Sequence, residues 1–60
     1  MSGYYVYVLA EDGHIRDRWP IMCANDEEAT ARARSLGDGH AVEPWQEKRR
    51  VAVIEPEDKN

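Results

Sequence analysis

The stretch YYVYVLAEDGHIRDRWPIMC, residues 4–23, decides how this chain folds. Its first part, YYVYVLA (4–10), is rich in aromatic and β-branched side chains, which suit a pleated, half-buried strand. Asp12-Gly13 follows at once. Asp-Gly between two such runs is a strong hairpin signal, because a two-residue type I′ turn needs positive φ at both central positions. HIRDRWPIMC (14–23) then reads as the returning strand. Pro20 has no N–H to give to a ladder, so this strand is expected at a sheet edge.

A two-residue loop pairs Glu11 with His14 and fixes every pair behind it. Val8 is then opposite Asp17, Val6 opposite Trp19 and Tyr4 opposite Ile21. With Ala10, Ile15 and Cys23 these make one mainly apolar face. The other face pairs Leu9 with Arg16, Tyr7 with Arg18 and Tyr5 with Pro20, and adds Met22.

ANDEEATARARSLGDG (24–39) predicts a helix with its ends written in. Asn25 is placed to cap the N-terminus, with Glu28 three residues on as in a capping box. Asp26, Glu27 and Glu28 put negative charge in the first turn and Arg32 and Arg34 put positive charge near the end, both complementing the macrodipole. Gly37 is expected at the left-handed cap position. The inward stripe is Ala29, Ala33 and Leu36, small enough for the helix to sit close on a sheet. HAVEPWQEKRRVAVIEP (40–56) reads as a second hairpin turning at Glu47-Lys48. That register places Val42, Pro44, Val51 and Val53 on the apolar side. Ala41, Glu43, Trp45, Arg50, Ala52 and Ile54 fall on the other, with Trp45 opposite Arg50.

The order is therefore ββαββ: an α+β domain with one helix packed on one face of a four-stranded, mainly antiparallel sheet around a split βαβ core. The fold is expected over residues 4–55, with 56–60 a polar tail. Two strand orders remain open, 2-1-3-4 and 2-1-4-3. Pro44 favours the second, in which strand 3 is an edge.

Composition limits what such a domain can do. Leu, Ile and Val together number 10 of the 60 residues and Phe is absent, below the ~20% at which disorder becomes an alternative. Three Tyr and two Trp weigh on the folded side. Small domains with thin cores usually draw support from disulfides, metal or self-association. One cysteine excludes an internal disulfide and suits a reducing compartment. No apolar run nears the ~18 residues of a membrane span, and the opening residues lack the basic start and cleavage site of a signal peptide. A cytoplasmic protein is expected. The net charge of −4 weighs against a general nucleic-acid binder.

One helix covers one face of the sheet, and the alanine stripe belongs on the valine side. The open face then carries Tyr5, Tyr7 and Trp45 beside Arg16, Arg18 and Arg50, residue types enriched at interfaces and binding hot spots. Arginine stems laid over tyrosine rings would merely solubilise a bare sheet. Self-association, as a homodimer, would bury the face. Single-stranded nucleic acid would stack on it, and a protein partner of unidentified kind would cover it in place of a second copy. No catalytic pattern is present: Ser2, Ser35 and Thr30 have no His and carboxylate arranged around them, and no glycine-rich phosphate loop occurs. No cofactor is expected.

The triplet Asp-Gly-His occurs twice, at 12–14 and 38–40, and the topology puts both copies at the same end of the sheet. Asp12, His14, Asp38 and His40 are thus candidate metal ligands. Structural zinc, however, wants four closely placed ligands in short spacings, and each triplet is already explained as a turn. Cys23 precedes a helix N-terminus, which lowers a thiol pKa, but the nearby acids oppose that and its face is the buried one, so an inert thiol is expected. The run Glu47-Lys48-Arg49-Arg50 solubilises a hairpin tip.

The pattern from YYVYVLAEDGHI through NDEEATARARSLGDGHAVEPWQEKRRVAVIEP resembles short uncharacterised ββαββ proteins of alphaproteobacteria over nearly the whole chain. That resemblance implies the fold and no activity. It departs at Pro44, where an aliphatic residue is usual, and at Glu47-Lys48, where a Gly-containing turn is more common. A weaker similarity, in the strand, Asp-Gly turn, strand and Glu-Glu-Ala helix start, is to the N-terminal half of HicB-type antitoxins. It implies a small partner-neutralising protein, although the Pro-rich segment before the helix and any DNA-binding module are missing. Together the residues predict a non-enzymatic interaction module acting through the aromatic–arginine face.

Overall fold

The computed structural model describes residues 1–56. The expected tail therefore lies, from residue 57 onward, outside the described residues. The elements run β1 (Ser2–Leu9), β2 (Ile15–Cys23), α1 (Asp26–Gly37), β3 (Ala41–Gln46) and β4 (Arg49–Arg50). They form a ββαββ fold with one helix on a four-stranded antiparallel sheet of order β2-β1-β3-β4. β2 and β3 both run antiparallel to the β1 strand between them, which makes the split βαβ core.

The first hairpin keeps the expected register from Ser2↔Cys23 to Val8↔Asp17 and then slips by one, so that Leu9 faces Ile15 rather than Arg16. The turn is the reason. Gly13 N–H donates to Ala10 O at 2.9 Å and Ala10 N–H to His14 O at 2.8 Å, closing a three-residue loop, Glu11-Asp12-Gly13. Gly13 alone in it has positive φ, 92°, as in a turn that ends in a left-handed residue. The two-residue type I′ turn is thereby corrected. A bulge at Arg16 absorbs the extra residue. Ile15 moves from the predicted apolar face to the open one, where it is 62% exposed.

Strand order 2-1-3-4 leaves Pro44 inside the sheet, against the order that Pro44 favoured. The ladder shows how. Pro44 O accepts from Val51 N–H at 2.8 Å, so the nitrogen of Pro44 also points toward β4, and its pairing with Val6 is of the kind that exchanges no hydrogen bonds. Nothing is lost against β1. On the other side β4 ends at Arg50, where the missing donor would next be needed. The chain bulges and rejoins at Val42↔Ile54 through reciprocal bonds of 3.0 and 2.9 Å. Trp45↔Arg50 is as expected, but the extra residue exchanges the two that follow: Ile54 packs on the core and Val53 is 56% exposed.

The helix begins as its sequence directs. Asn25 Oδ1 accepts from Glu28 N–H at 2.8 Å, and Glu28 Oε1 accepts from Ala24 N–H, one residue before the cap, at 2.6 Å. Its end differs. The buried stripe is Ala29, Ala33 and Gly37, and Leu36 is 38% exposed. Gly37 is helical, and the left-handed cap falls to Asp38 (φ 52°). Gly37 is instead needed for close approach, since a Cβ there would sit 2.4 Å from Val42 Cγ1. The core falls in two parts: Tyr4, Cys23 and Ala29 near the helix start, and Val6, Val8, Ala33 and Val42 further along, with Ile21 touching both.

Candidate interaction surface

Across the face opposite the helix, the paired strands set side chains in rows. Pro20, Tyr5, Trp45 and Arg50 form one row; Arg18, Tyr7 and Glu43 the next; Ile15, Leu9 and Ala41 the third. Successive residues of a strand alternate faces, so these positions share one side. Tyr7 and Trp45, diagonal neighbours, meet edge to face with centroids 6.3 Å apart and planes at 88°, a favoured aromatic geometry. The Arg18 guanidinium lies 5.1 Å from the centre of the Tyr5 ring, within cation–π range. Glu43 stands between Trp45, whose Nε1–H donates to it at 3.3 Å, and Arg50 at 3.8 Å. A shallow depression of about 430 Å³ is lined by Tyr7, Leu9, Ile15, Glu43 and Trp45, among others.

Five of the six residues expected here, Tyr5, Tyr7, Arg18, Trp45 and Arg50, therefore occupy this face. Arg16 does not join them. The bulge takes it to the top of the sheet, where its Nη1 lies 2.8 Å from His40 Nε2. Glu43 was assigned to this side but not counted as a site residue; its spacing of two from Trp45 was the available signal, while its place beside Tyr7 depends on the strand order. Ile15 went unseen because the three-residue loop shifts it.

The Asp-Gly-His turns each hold their own histidine. His14 Nδ1 lies 3.0 Å from Asp12 Oδ2. His40 Nδ1 lies 3.0 Å from Gly37 O, so an Nδ1–H donor there leaves Nε2 to accept from Arg16. Among the described residues no three His, Cys, Asp or Glu side chains are grouped to hold a metal. Cys23 is fully buried, and burial first, then Glu28, pushes its thiol pKa up.

A polar network invisible to periodicity fastens the helix start to the sheet. Tyr4 Oη donates to Asp26 Oδ1 at 2.8 Å, and Arg49 donates to both Asp26 oxygens at 3.0 and 3.1 Å. Arg49, expected only to solubilise a hairpin tip, is thus a tether. Its hydrogen bonds, then that of Tyr4, hold the Asp26 carboxyl below its ordinary range. The bond to Asp26, then burial, raises the Tyr4 hydroxyl.

Comparison with protein-family models, with curated proteins and with solved structures finds no match for this chain.

Proposed function

We propose that the protein is a small, non-enzymatic interaction module that works as a homodimer through the sheet face opposite the helix. The observation that carries this reading is the contrast between the two faces. The helix side buries mainly alanine and valine, with Tyr4 and Cys23. Three aromatic residues, Tyr5, Tyr7 and Trp45, lie on the uncovered side, with Tyr5 43% exposed, against Trp19, 46% exposed, beside Val6 on the helix side. A core this thin gains from burying a second apolar surface, at roughly 25 cal/mol per Å².

Light scattering over a dilution series tests the reading. A dimer is expected, and Tyr7→Asp, which sets a charge at the middle of the face, is expected to give a monomer of native circular dichroism. A wild-type mass that stays monomeric throughout overturns it. A second reading, single-stranded nucleic acid laid over Tyr5 and Arg18, is supported by their stacked geometry. It predicts salt-sensitive quenching of Trp45 by oligonucleotides.

A further inference from the structure

We infer that two copies stack these faces about a two-fold axis lying between the sheets and running along β1, so that Arg18 of each copy meets Glu43 of the other. This rests on the homodimer reading above and specifies its geometry.

The rows themselves carry the inference. A rotation about β1 exchanges left and right across the sheet and keeps each row at its own height. The row Arg18–Tyr7–Glu43 then faces itself reversed: arginine over glutamate, tyrosine over tyrosine, glutamate over arginine. The row Pro20–Tyr5–Trp45 sets the Trp45 indole against the Pro20 ring on either side of a Tyr5 pair. The row Ile15–Leu9–Ala41 sets the exposed isoleucine against the small Ala41. Large meets small and positive meets negative at every reversed position, which is what an interface of one patch with itself requires. Arg18 and Glu43 lie one strand spacing either side of Tyr7, each about 5 Å from it, and facing sheets pack about 10 Å apart, a gap long side chains close.

The other two-fold in this plane, across the strands, puts Arg18 over Arg18 and Glu43 over Glu43, and like charges repel. Pairing through the free edge of β2 is opposed by Pro20. Val6, which exchanges no bonds with Pro44, directs its polar groups to Trp19, so Pro20, one position along, turns its nitrogen outward. A second strand added there would find no donor at its centre. Neither charged group has a short ionic partner among the described residues, with the Arg18 guanidinium laid over Tyr5 and the Glu43 side chain 23% exposed. Among the described residues Arg18 makes no ion pair, and the contacts of Glu43 to Trp45 and Arg50 are both long. Arg50, one strand further out than Glu43, projects past the edge of the second copy's β2.

The experiment is a charge exchange between two variants. In R18E homodimers each reversed pair becomes acid against acid, and in E43R homodimers base against base. Both are expected to dimerise at least about tenfold more weakly than wild type while keeping the wild-type circular dichroism spectrum. Mixed in equal amounts, they restore opposite charges at both positions and are expected to form a heterodimer of near wild-type affinity. R18Q and E43Q, which lose attraction without adding repulsion, serve if a reversed charge prevents folding, each expected to weaken the dimer. Arg34→Ser, on the exposed side of the helix and away from this face, is expected to leave the dimer unchanged. A wild-type dimer that Tyr7→Asp dissociates, but whose R18E and E43R forms gain nothing on mixing, overturns this geometry and leaves the face as the interface. A wild-type monomer at every concentration overturns both.

Discussion

Replacing Gly37 with alanine isolates the contact that sets how closely helix and sheet approach. The added Cβ falls 2.4 Å from Val42 Cγ1, whereas carbons in contact sit about 3.5–4.0 Å apart. Either the helix end or the valine has to yield by about 1 Å or more. Val42 has little freedom to do so. It is fully buried, stiff at χ1, and bonded or paired on both flanks, to Val8 on one side and Ile54 on the other. Overpacking of this kind costs about 1–3 kcal/mol, against about 1 kcal/mol gained in helix propensity. The net loss is up to about 2 kcal/mol, and in a domain this small each kcal/mol lowers Tm by about 4–8 °C. The assay is a set of thermal melts at one fixed protomer concentration, since association shifts Tm. Wild type, Gly37→Ala, Val42→Ala and the double variant complete a cycle. Gly37→Ala is expected to melt lower alone and to be neutral or stabilising in the Val42→Ala background, where the obstructing methyl is gone. A Gly37→Ala protein melting at or above wild type would refute the close-approach argument.

Two further perturbations address other parts of the fold. Asp26 has a depressed folded pKa, so its contribution is complete above the ordinary carboxylate range, about pH 4, and is lost as pH falls through the folded value. Tyr4 has a raised one, so its contribution is complete below the ordinary phenol range, about pH 10, and is lost as pH rises through the folded value. Urea midpoints measured against pH are expected to show both limbs, with the acid limb shallower in Asp26→Asn; equal acid limbs would count against the network. Glu47 holds a left-handed backbone, φ 55°, which costs a non-glycine residue about 1 kcal/mol or more. Glu47→Gly is expected to raise the urea midpoint, and a lowered midpoint would show that the Glu47 side chain stabilises the turn by more than its backbone strain.

How much of this was legible in the sequence depended on whether a feature is local. The helix start, the pairing from Ser2 to Val8 and the position of Trp45 opposite Arg50 follow from turns and caps a few residues long. They were read correctly, and with them five residues of the open face. Asp-Gly fits a two-residue and a three-residue loop alike, because both need positive φ at the glycine. That ambiguity moved Ile15 and Arg16. Pro44 was read as an edge signal, but what matters is which neighbour its nitrogen faces, and that depends on strand order. Leu36 and Gly37 are adjacent on the helix, and only the proximity of Val42 decides between them. The Tyr4–Asp26–Arg49 network joins residues more than twenty positions apart, with no periodicity to announce it.

The outward turn of Pro20 bears on how amide protons exchange along β2. The alternation that points the Pro20 nitrogen to solvent points the Arg18 and Met22 amides the same way, while Asp17, Trp19 and Ile21 face Val8, Val6 and Tyr4 of β1 respectively. The outward amides meet water without any opening event, whereas the inward ones exchange only when the hairpin separates. A single strand therefore carries two clocks, interleaved residue by residue. The fast one reports solvent access at the sheet margin, and the slow one reports the free energy that holds β2 to the rest of the molecule.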